Sequence, residues 1–152
     1  MNFELKIPPV AVVLILMALM LLPALTLPGF LWSMMLKVAL LAAFGLAGLL
    51  CALLGVVSFA RARTTVNPLA PETASTLVTG GIYRYTRNPM YLGLMIFLIG
   101  WGLFLASPPA VLLAFLFVPY MNRFQIRPEE QALGALFGPD YEKYRAKVRR
   151  WL

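Results

Sequence analysis

The sequence has no histidine and a single cysteine, Cys51, among its 152 residues. Without histidine there is no histidine-based nucleophilic triad and no metal site built on imidazole ligands. A single cysteine excludes a Cys-x-x-Cys redox pair and any disulfide within the chain. Cys51 stands inside an apolar run, where a small core residue is its ordinary interpretation.

Charged residues are also scarce, at 12% of the chain, whereas hydrophobic residues make up 61%. A soluble globular domain has about 25% charged and roughly 45–50% apolar residues. The composition therefore predicts an integral membrane protein, and the length suits one domain, residues 1–152. The net charge is +7, with 13 Lys and Arg against six Asp and Glu. Because the basic residues flank apolar runs, we attribute them to lipid headgroups and topology, and we expect neither nucleic acid nor a metal as a partner.

Four apolar runs predict an all-α membrane bundle of about four transmembrane helices. A spanning helix needs about 20 apolar residues. The runs are residues 10–27, 38–60, 90 to about 106, and 110–121. The first two runs form a predicted N-terminal helical hairpin, residues 8–60. A cleaved signal peptide is the alternative interpretation of the first run, but no convincing cleavage site follows it. The fourth run is short, so it is either a fourth span or the short leg of a hairpin with the third.

The chain becomes polar from residue 122 onward, where we expect a C-terminal cytoplasmic or interfacial helix. Pro128, followed by Glu129 and Glu130, is typical of a helix start, since the helix dipole favours acids in the first turn. Apolar and aromatic residues then recur at helical spacing. This pattern predicts a helix that lies on the membrane surface or packs on the bundle, with its apolar face at Tyr141, Tyr144, Val148 and Trp151.

The distribution of basic residues predicts the orientation of the chain. Four arginines lie in the polar stretch 61–88, which also holds Pro68 and Pro71, and seven Lys or Arg residues follow the fourth run. By the positive-inside rule, both termini and the stretch 61–88 are cytoplasmic, most simply at the inner membrane of the cell. Two polar clusters, residues 75–91 and 123–130, then lie on the same side and can form one site.

The first cluster has both structural and functional interpretations. Asn88 before Pro89 predicts a capped helix start, and the amide groups of such an end can also bind an anion. Tyr83, Tyr85 and Tyr91 are either interfacial anchors or site residues. In the second cluster, Glu129 and Glu130 either compensate the helix dipole or hold a cation.

Methyl transfer from a sulfonium donor is compatible with these residue types. The donor is intrinsically reactive, so alignment in a desolvated pocket supplies much of the rate. Carboxylates, tyrosines and backbone groups suffice to hold it, whereas hydrolysis that shuttles protons through histidine is excluded.

Several of these residues form an ordered set that resembles a known family. The stretch LVTGGIYRYTRNPMYLG, residues 77–93, precedes the pair Glu129-Glu130 and the stretch FGPDYEKY, residues 137–144. This set resembles the isoprenylcysteine carboxyl methyltransferase family, with phospholipid N-methyltransferases as broader relatives. The family-like core covers about residues 64–152.

The resemblance implies an integral membrane methyltransferase that uses S-adenosyl-L-methionine at the cytoplasmic membrane boundary. Arg87 and Arg123 would orient an anionic acceptor, and Glu130 would accept a proton if the acceptor is an amine. The cofactor contacts that the resemblance implies are Ser75, Thr76, Leu77, Val78, Tyr83, Asn88, Pro89, Met90, Tyr91 and Glu129.

Two positions depart from the pattern of that family. Asn88 stands where the family has histidine, and asparagine does not titrate near neutral pH. Gln125 stands where eukaryotic members have a substrate-facing arginine, so Arg123 or Arg127 is a candidate replacement. The predicted acceptor is lipophilic and resembles an isoprenylcysteine carboxylate. The alternatives are a phospholipid amine, a small thiol, or a membrane scaffold without enzymatic activity.

Overall fold

A computed structural model describes residues 4–63 and 74–152 of the chain. Pro68, Pro71 and the predicted beginning of the family-like core at residue 64 lie outside the described residues. The described part is helical and contains no strand. Its elements are α1 (Pro9–Thr26), α2 (Met34–Arg61), a 3-10 turn (Gly81–Arg84), α3 (Pro89–Phe104), α4 (Pro108–Ala114), α5 (Phe117–Met121), a π turn (Asn122–Ile126) and α6 (Arg127–Lys147).

The prediction of a helical membrane bundle is confirmed. Within the described ranges, α1, α2 and the helical run Pro108–Lys147 are long and apolar enough to cross a membrane, and α3 is a shorter apolar helix. Large apolar side chains, including Leu14, Leu50 and Leu54, are exposed on α1 and α2. These surfaces suit contact with lipid tails, as expected of an integral membrane protein.

The fourth run continues into the C-terminal helix without an interruption. Residues 117–137 remain helical through the π turn, and Ile126 has helical backbone angles. As predicted, an α-helix starts at residues 127–130, with Pro128 and both acids in its first turn, although the chain is already helical in the preceding π turn. The run is apolar up to the π turn, and the polar α6 lies beyond its spanning part.

Helix α2 packs mainly against α3, whereas α1 packs mainly against α4 and also contacts α3. Gly48 of α2 and Gly93 of α3 bring two backbones into direct contact: a Cβ atom added at Gly48 would lie 2.5 Å from the carbonyl oxygen of Gly93. Gly55, further along α2, faces Pro89 and Met90. These glycines set the first turn of α3 beside the end of α2.

A tight turn between α3 and α4 reverses the chain. Ser107 caps α4 by accepting a hydrogen bond from the amide of Ala110, and Pro108 occupies the first helical position. Ala110 and Phe117 then join Met20 and Leu98 in a fully buried core between α1 and α3. This reversal returns α5 and α6 to the end of the bundle from which α3 began.

The chain folds back after α6, so its last residues do not continue a surface helix. The helix bends at Gly138, where φ is 48°, and Val148 is extended. The indole of Trp151 packs edge-to-face on Phe117 and donates a hydrogen bond to Asn122 Oδ1 at 3.0 Å. Packing on the bundle, one of the two alternatives for this region, is the observed one, although residues 148–152 pack as an extended segment.

The close approach of α2 and α3 predicts different effects for two glycine substitutions on α2. Gly48→Ala should lower the unfolding temperature of the detergent-purified protein, since overpacking costs about 1–3 kcal/mol. Gly45→Ala is the control, because its Cβ atom would meet only Phe97 at 4.0 Å. Equal unfolding temperatures for the two variants would contradict the packing described here.

Candidate functional site

A cavity lies between the two polar segments, residues 75–91 and 123–130. In the orientation predicted from the sequence, this is the cytoplasmic end of the helical bundle. One wall comes from the residues before and within the first turn of α3, the other from the π turn and α6, and Phe59 of α2 lies at the edge. The lining residues are Phe59, Ala74, Thr76, Leu77, Val78, Tyr83, Arg87, Asn88, Met90, Tyr91, Ile126, Glu129, Glu130, Leu133, Tyr141 and Tyr144.

A hydrogen bond across the cavity joins the two walls. Tyr91, in the first turn of α3, is buried, and its hydroxyl donates to Glu129 Oε1. Gln125 lies one turn before Glu129 and donates from Nε2 to the same oxygen at 2.8 Å. Glu129 therefore has its carboxyl group fixed by two uncharged donors.

The surroundings of Glu129 hold it near its titration point at neutral pH. Burial raises the pKa of Glu129 to about 7, because the apolar walls disfavour the charged form. The hydrogen bonds from Tyr91 and Gln125 oppose this effect. A cation that enters the cavity would favour the carboxylate, so Glu129 is suited to bind one.

Glu130 has a different environment although it is the adjacent residue. Arg150 contacts both of its carboxylate oxygens, from Nε at 2.9 Å and from Nη2 at 2.7 Å. Arg87 Nη2 lies 3.1 Å from Oε1 on another side. Two guanidinium groups therefore hold the carboxylate of Glu130 in charge-assisted contacts.

Arg87 keeps one donor available in this arrangement. Its side chain is only 10% exposed, and its Nη1 donates to the hydroxyl of Tyr141 at 3.4 Å. Its Nε atom is buried and has no hydrogen-bond partner among the described residues. A buried donor without a partner costs free energy, which a bound anionic group would recover.

Two tyrosines close the cavity on the side of α2. Gly81, with φ of 61°, makes the turn that directs Tyr83 inward, and the ring of Tyr83 packs edge-to-face on Phe59. The hydroxyl of Tyr144 donates to the backbone oxygen of Tyr83 at 2.8 Å. Burial raises the pKa of both tyrosines, so their phenol groups stay neutral.

Asn88 does not cap α3, which corrects the prediction from the sequence. Pro89 is at the first helical position as predicted, but the side chain of Asn88 makes no capping hydrogen bond. Its Nδ2 instead donates to the backbone oxygen of Arg150 at 2.9 Å. The physical reason is that residues 148–152 fold back and offer this acceptor.

Three predicted site residues do not line the cavity. Ser75 is exposed and directs its hydroxyl toward the backbone of Arg63. Pro89 packs against Gly55, while its carbonyl accepts from Cys51 Sγ at 3.3 Å. Arg123 is outside the cavity and forms an ion pair with Glu4 at 2.7 Å. The ten predicted residues that do line it are Thr76, Leu77, Val78, Tyr83, Arg87, Asn88, Met90, Tyr91, Glu129 and Glu130.

The structure adds residues that sequence reasoning did not assign to the site. In the sequence, Gln125 stands out only as a departure from the pattern of the family. Its spacing of four from Glu129 on a helix nevertheless predicts contact between the two side chains. Phe59, Leu133 and Arg150 gave no comparable indication, because their partners are distant in sequence. In the described part of the chain, no cluster of three or more Cys, Asp or Glu side chains is placed to hold a metal.

Comparison with known proteins identifies related sequences. Residues 36–140, more than half of the chain, match the model of a family described as phospholipid methyltransferase. This region contains most of α2, all of α3, the α3–α4 turn and most of α6. No solved structure matches the chain at a comparable level of significance.

Three relatives illustrate the range of the similarity. An uncharacterised protein of Haemophilus influenzae is 44% identical over 63 residues, which are 41% of this chain and 100% of that protein. Protein-S-isoprenylcysteine O-methyltransferase of Schizosaccharomyces pombe is 40% identical over 72 residues, 47% of this chain and 30% of the relative. The rat enzyme of the same name is 30% identical over 130 residues, 81% of this chain. The chain spans 45% of the rat protein, so it matches less than half of either named relative.

Asn88 bonds to the carbonyl of Arg150 instead of capping α3. Another residue type that is favourable at helix caps should therefore not be able to replace it. Asn88→Ser retains a good capping residue but is too short to reach the carbonyl of Arg150. We expect a loss of about 0.5–1.5 kcal/mol in the free energy of unfolding, the contribution of one hydrogen bond, because the carbonyl of Arg150 then keeps only the longer bond from Thr86 Oγ1 at 3.4 Å. Thermal unfolding in detergent measures this loss. Ser33→Asn is the control, because Ser33 does cap its helix by accepting from the amide of Leu36 at 3.3 Å. If Asn88→Ser is as stable as the control, Asn88 acts as a cap after all.

Proposed function

The chain belongs to the phospholipid methyltransferase family, and we propose that it transfers a methyl group from S-adenosylmethionine to a lipophilic acceptor at the cytoplasmic membrane boundary. The observation that carries this proposal is the cavity in which Tyr91 and Gln125 fix the carboxyl group of Glu129. The family membership supports methyl transfer, and the chemistry of the cavity supports a cationic donor.

The lining residues fit the chemical groups of S-adenosylmethionine. Its sulfonium and ammonium groups are cations, which Glu129 can pair with at the cavity wall. The faces of its flat aromatic purine suit walls formed by Phe59, Val78 and Leu133. The guanidinium of Arg87, a lining residue, suits a carboxylate, whether on the methyl donor or on an anionic acceptor.

The bound donor supplies a methyl group whose bond to sulfur breaks, with the electron pair left on sulfur, as the bond to the acceptor forms. The contribution of the protein is alignment and the exclusion of water. Tyr83 and Tyr91 are buried, and they hold the walls in place. We leave Arg123 out of the site, because it is paired with Glu4 beyond the cavity.

The environment of Glu130 favours an acceptor that needs no general base. Arg87 and Arg150 hold this carboxylate, which argues against a role for Glu130 in removing a proton from an amine acceptor. A carboxylate acceptor reacts without losing a proton, and relatives named protein-S-isoprenylcysteine O-methyltransferase support that class. A phospholipid amine is the second candidate, because the family description names phospholipids.

The position of the cavity beside apolar helices suits an acceptor that arrives from the bilayer. Phe59 and Met90 lie at the ends of α2 and α3 that meet the cavity. We place this end, both termini and α6 on the cytoplasmic side, because most of the basic residues lie there. The same end would face the aqueous compartment from which the soluble donor enters.

Donor affinity should rise with pH. Since the pKa of Glu129 is raised to about 7, this residue is largely neutral at pH 6 and largely ionised at pH 8. Proton linkage then gives about a tenfold tighter binding of S-adenosylmethionine at pH 8 than at pH 6. Isothermal titration calorimetry at the two pH values measures this difference.

Glu129→Gln should weaken binding and remove most of its pH dependence. Glu142→Gln is the matched control on the same helix, because Glu142 is exposed and pairs with Arg145 three residues away. Equal affinities for the two variants would remove Glu129 from the site. No binding by the unmodified protein at millimolar ligand would overturn the proposed donor.

A labelled-methyl assay should identify the acceptor class. We expect methyl transfer from S-adenosylmethionine to a prenylated cysteine analogue with a free carboxylate, and none to the same analogue as its methyl ester. Extracted phosphatidylethanolamine is the comparison substrate. Transfer to the lipid amine alone would replace the carboxylate acceptor by the phospholipid one, and transfer to neither would contradict both.

A further inference from the structure

Residues 148–152, the C-terminal segment, are bonded to both walls of the cavity. The backbone oxygen of Arg149 accepts from the amide of Arg87 at 3.0 Å, and that of Arg150 accepts from the side chain of Asn88. On the other side, Trp151 donates to Asn122 in the π turn. The segment therefore connects the residues just before α3 with the residues just before α6.

The side chain of Arg150 reaches back from this segment to Glu130. Its two hydrogen bonds to separate carboxylate oxygens form a fork, which fixes the rotation of the carboxylate as well as its position. Glu130 in turn contacts Arg87, whose guanidinium lines the cavity. The result is a continuous series of contacts from Arg150 through Glu130 to Arg87.

We propose that Arg150 is a positioning residue, which acts through Glu130 to hold the guanidinium of Arg87 against the cavity. This inference rests on the proposed function, because it assumes that the cavity binds the methyl donor. Arg87 and Glu130 each have a side chain that is nearly buried, at 10% and 13% exposed. A carboxylate that has lost the fork can rotate, and Arg87 then loses the partner that holds its guanidinium beside the cavity.

The contacts distinguish this role from general packing of the C-terminal segment. The bonds from Asn88 and the amide of Arg87 go to backbone oxygens of the segment, so truncating the side chain of Arg150 leaves them intact. The packing of Trp151 on Phe117 is also independent of that side chain. Arg150→Ala therefore removes the fork to Glu130 selectively.

A double-mutant cycle on the full chain, with S-adenosylhomocysteine as the calorimetric probe, tests the proposal. We expect Arg150→Ala to raise Kd about tenfold, Glu130→Gln to raise it similarly, and the double variant to be no weaker than Glu130→Gln alone. Non-additivity is the decisive result, because Arg150 has nothing to act through once the carboxylate is gone. Arg150→Lys, which keeps the charge but not the fork, should fall between the wild type and Arg150→Ala.

Lys147→Ala is the matched control, since it removes one exposed cation from the same region and should leave Kd unchanged. Additive losses in the cycle, or equal affinities of wild type and Arg150→Ala, would overturn the positioning role while leaving the proposed function intact. Failure of the wild type to bind would overturn the proposed function and this inference with it. If Arg150→Ala cannot be purified in a folded state, the cycle is run with Arg150→Lys, where additivity again overturns the proposal.

Discussion

The hydrogen bond from Tyr91 to Glu129 connects two parts of the chain on which the rest of the site depends. Tyr91 is in the first turn of α3 and Glu129 is in the first turn of α6. They meet because the turn at Ser107 and Pro108 reverses the chain, so that the helical run after it returns to the end where α3 begins. Buried polar groups of this kind must be paired, and their pairing fixes the spacing of the two walls of the cavity.

Two adjacent glutamates in α6 illustrate how surroundings divide chemical roles. Glu129 faces apolar side chains and two uncharged donors, which bring its titration close to neutral pH. Glu130 faces two guanidinium groups that stabilise its charge. The first is suited to respond to a cationic ligand, whereas the second is suited to hold arginines in place. Identical side chains one residue apart are therefore suited to different roles, binding in one case and architecture in the other.

The fold and much of the candidate site were accessible from the sequence. Long apolar runs predict spanning helices because the thickness of a bilayer sets their length, and the helices found at Pro9–Thr26 and Met34–Arg61 match two of those runs closely. The meeting of residues 75–91 with residues 123–130 followed from one intervening hairpin. The contact between Tyr91 and Glu129 confirms that prediction of a shared location; the functional roles of the site residues stay predictions.

The parts that the sequence did not reveal depend on contacts between distant residues. Asn88 before Pro89 has the local features of a helix cap, but its donor is used by a carbonyl 62 residues away. Arg123 was grouped with Glu129 by proximity in sequence, yet it faces Glu4 instead. The C-terminal segment was expected to continue a helix because its aromatic spacing is helical. No local pattern indicates that Val148 leaves the helix and that Arg150 reaches Glu130.

Hydrogen–deuterium exchange with and without S-adenosylhomocysteine tests the central claim most directly, since that claim is that two distant polar segments bind one donor. The account predicts slower exchange of backbone amides in both residues 74–91 and residues 125–144 when the ligand is present at millimolar concentration. Protection confined to one of the two segments, or absent from both, would contradict it.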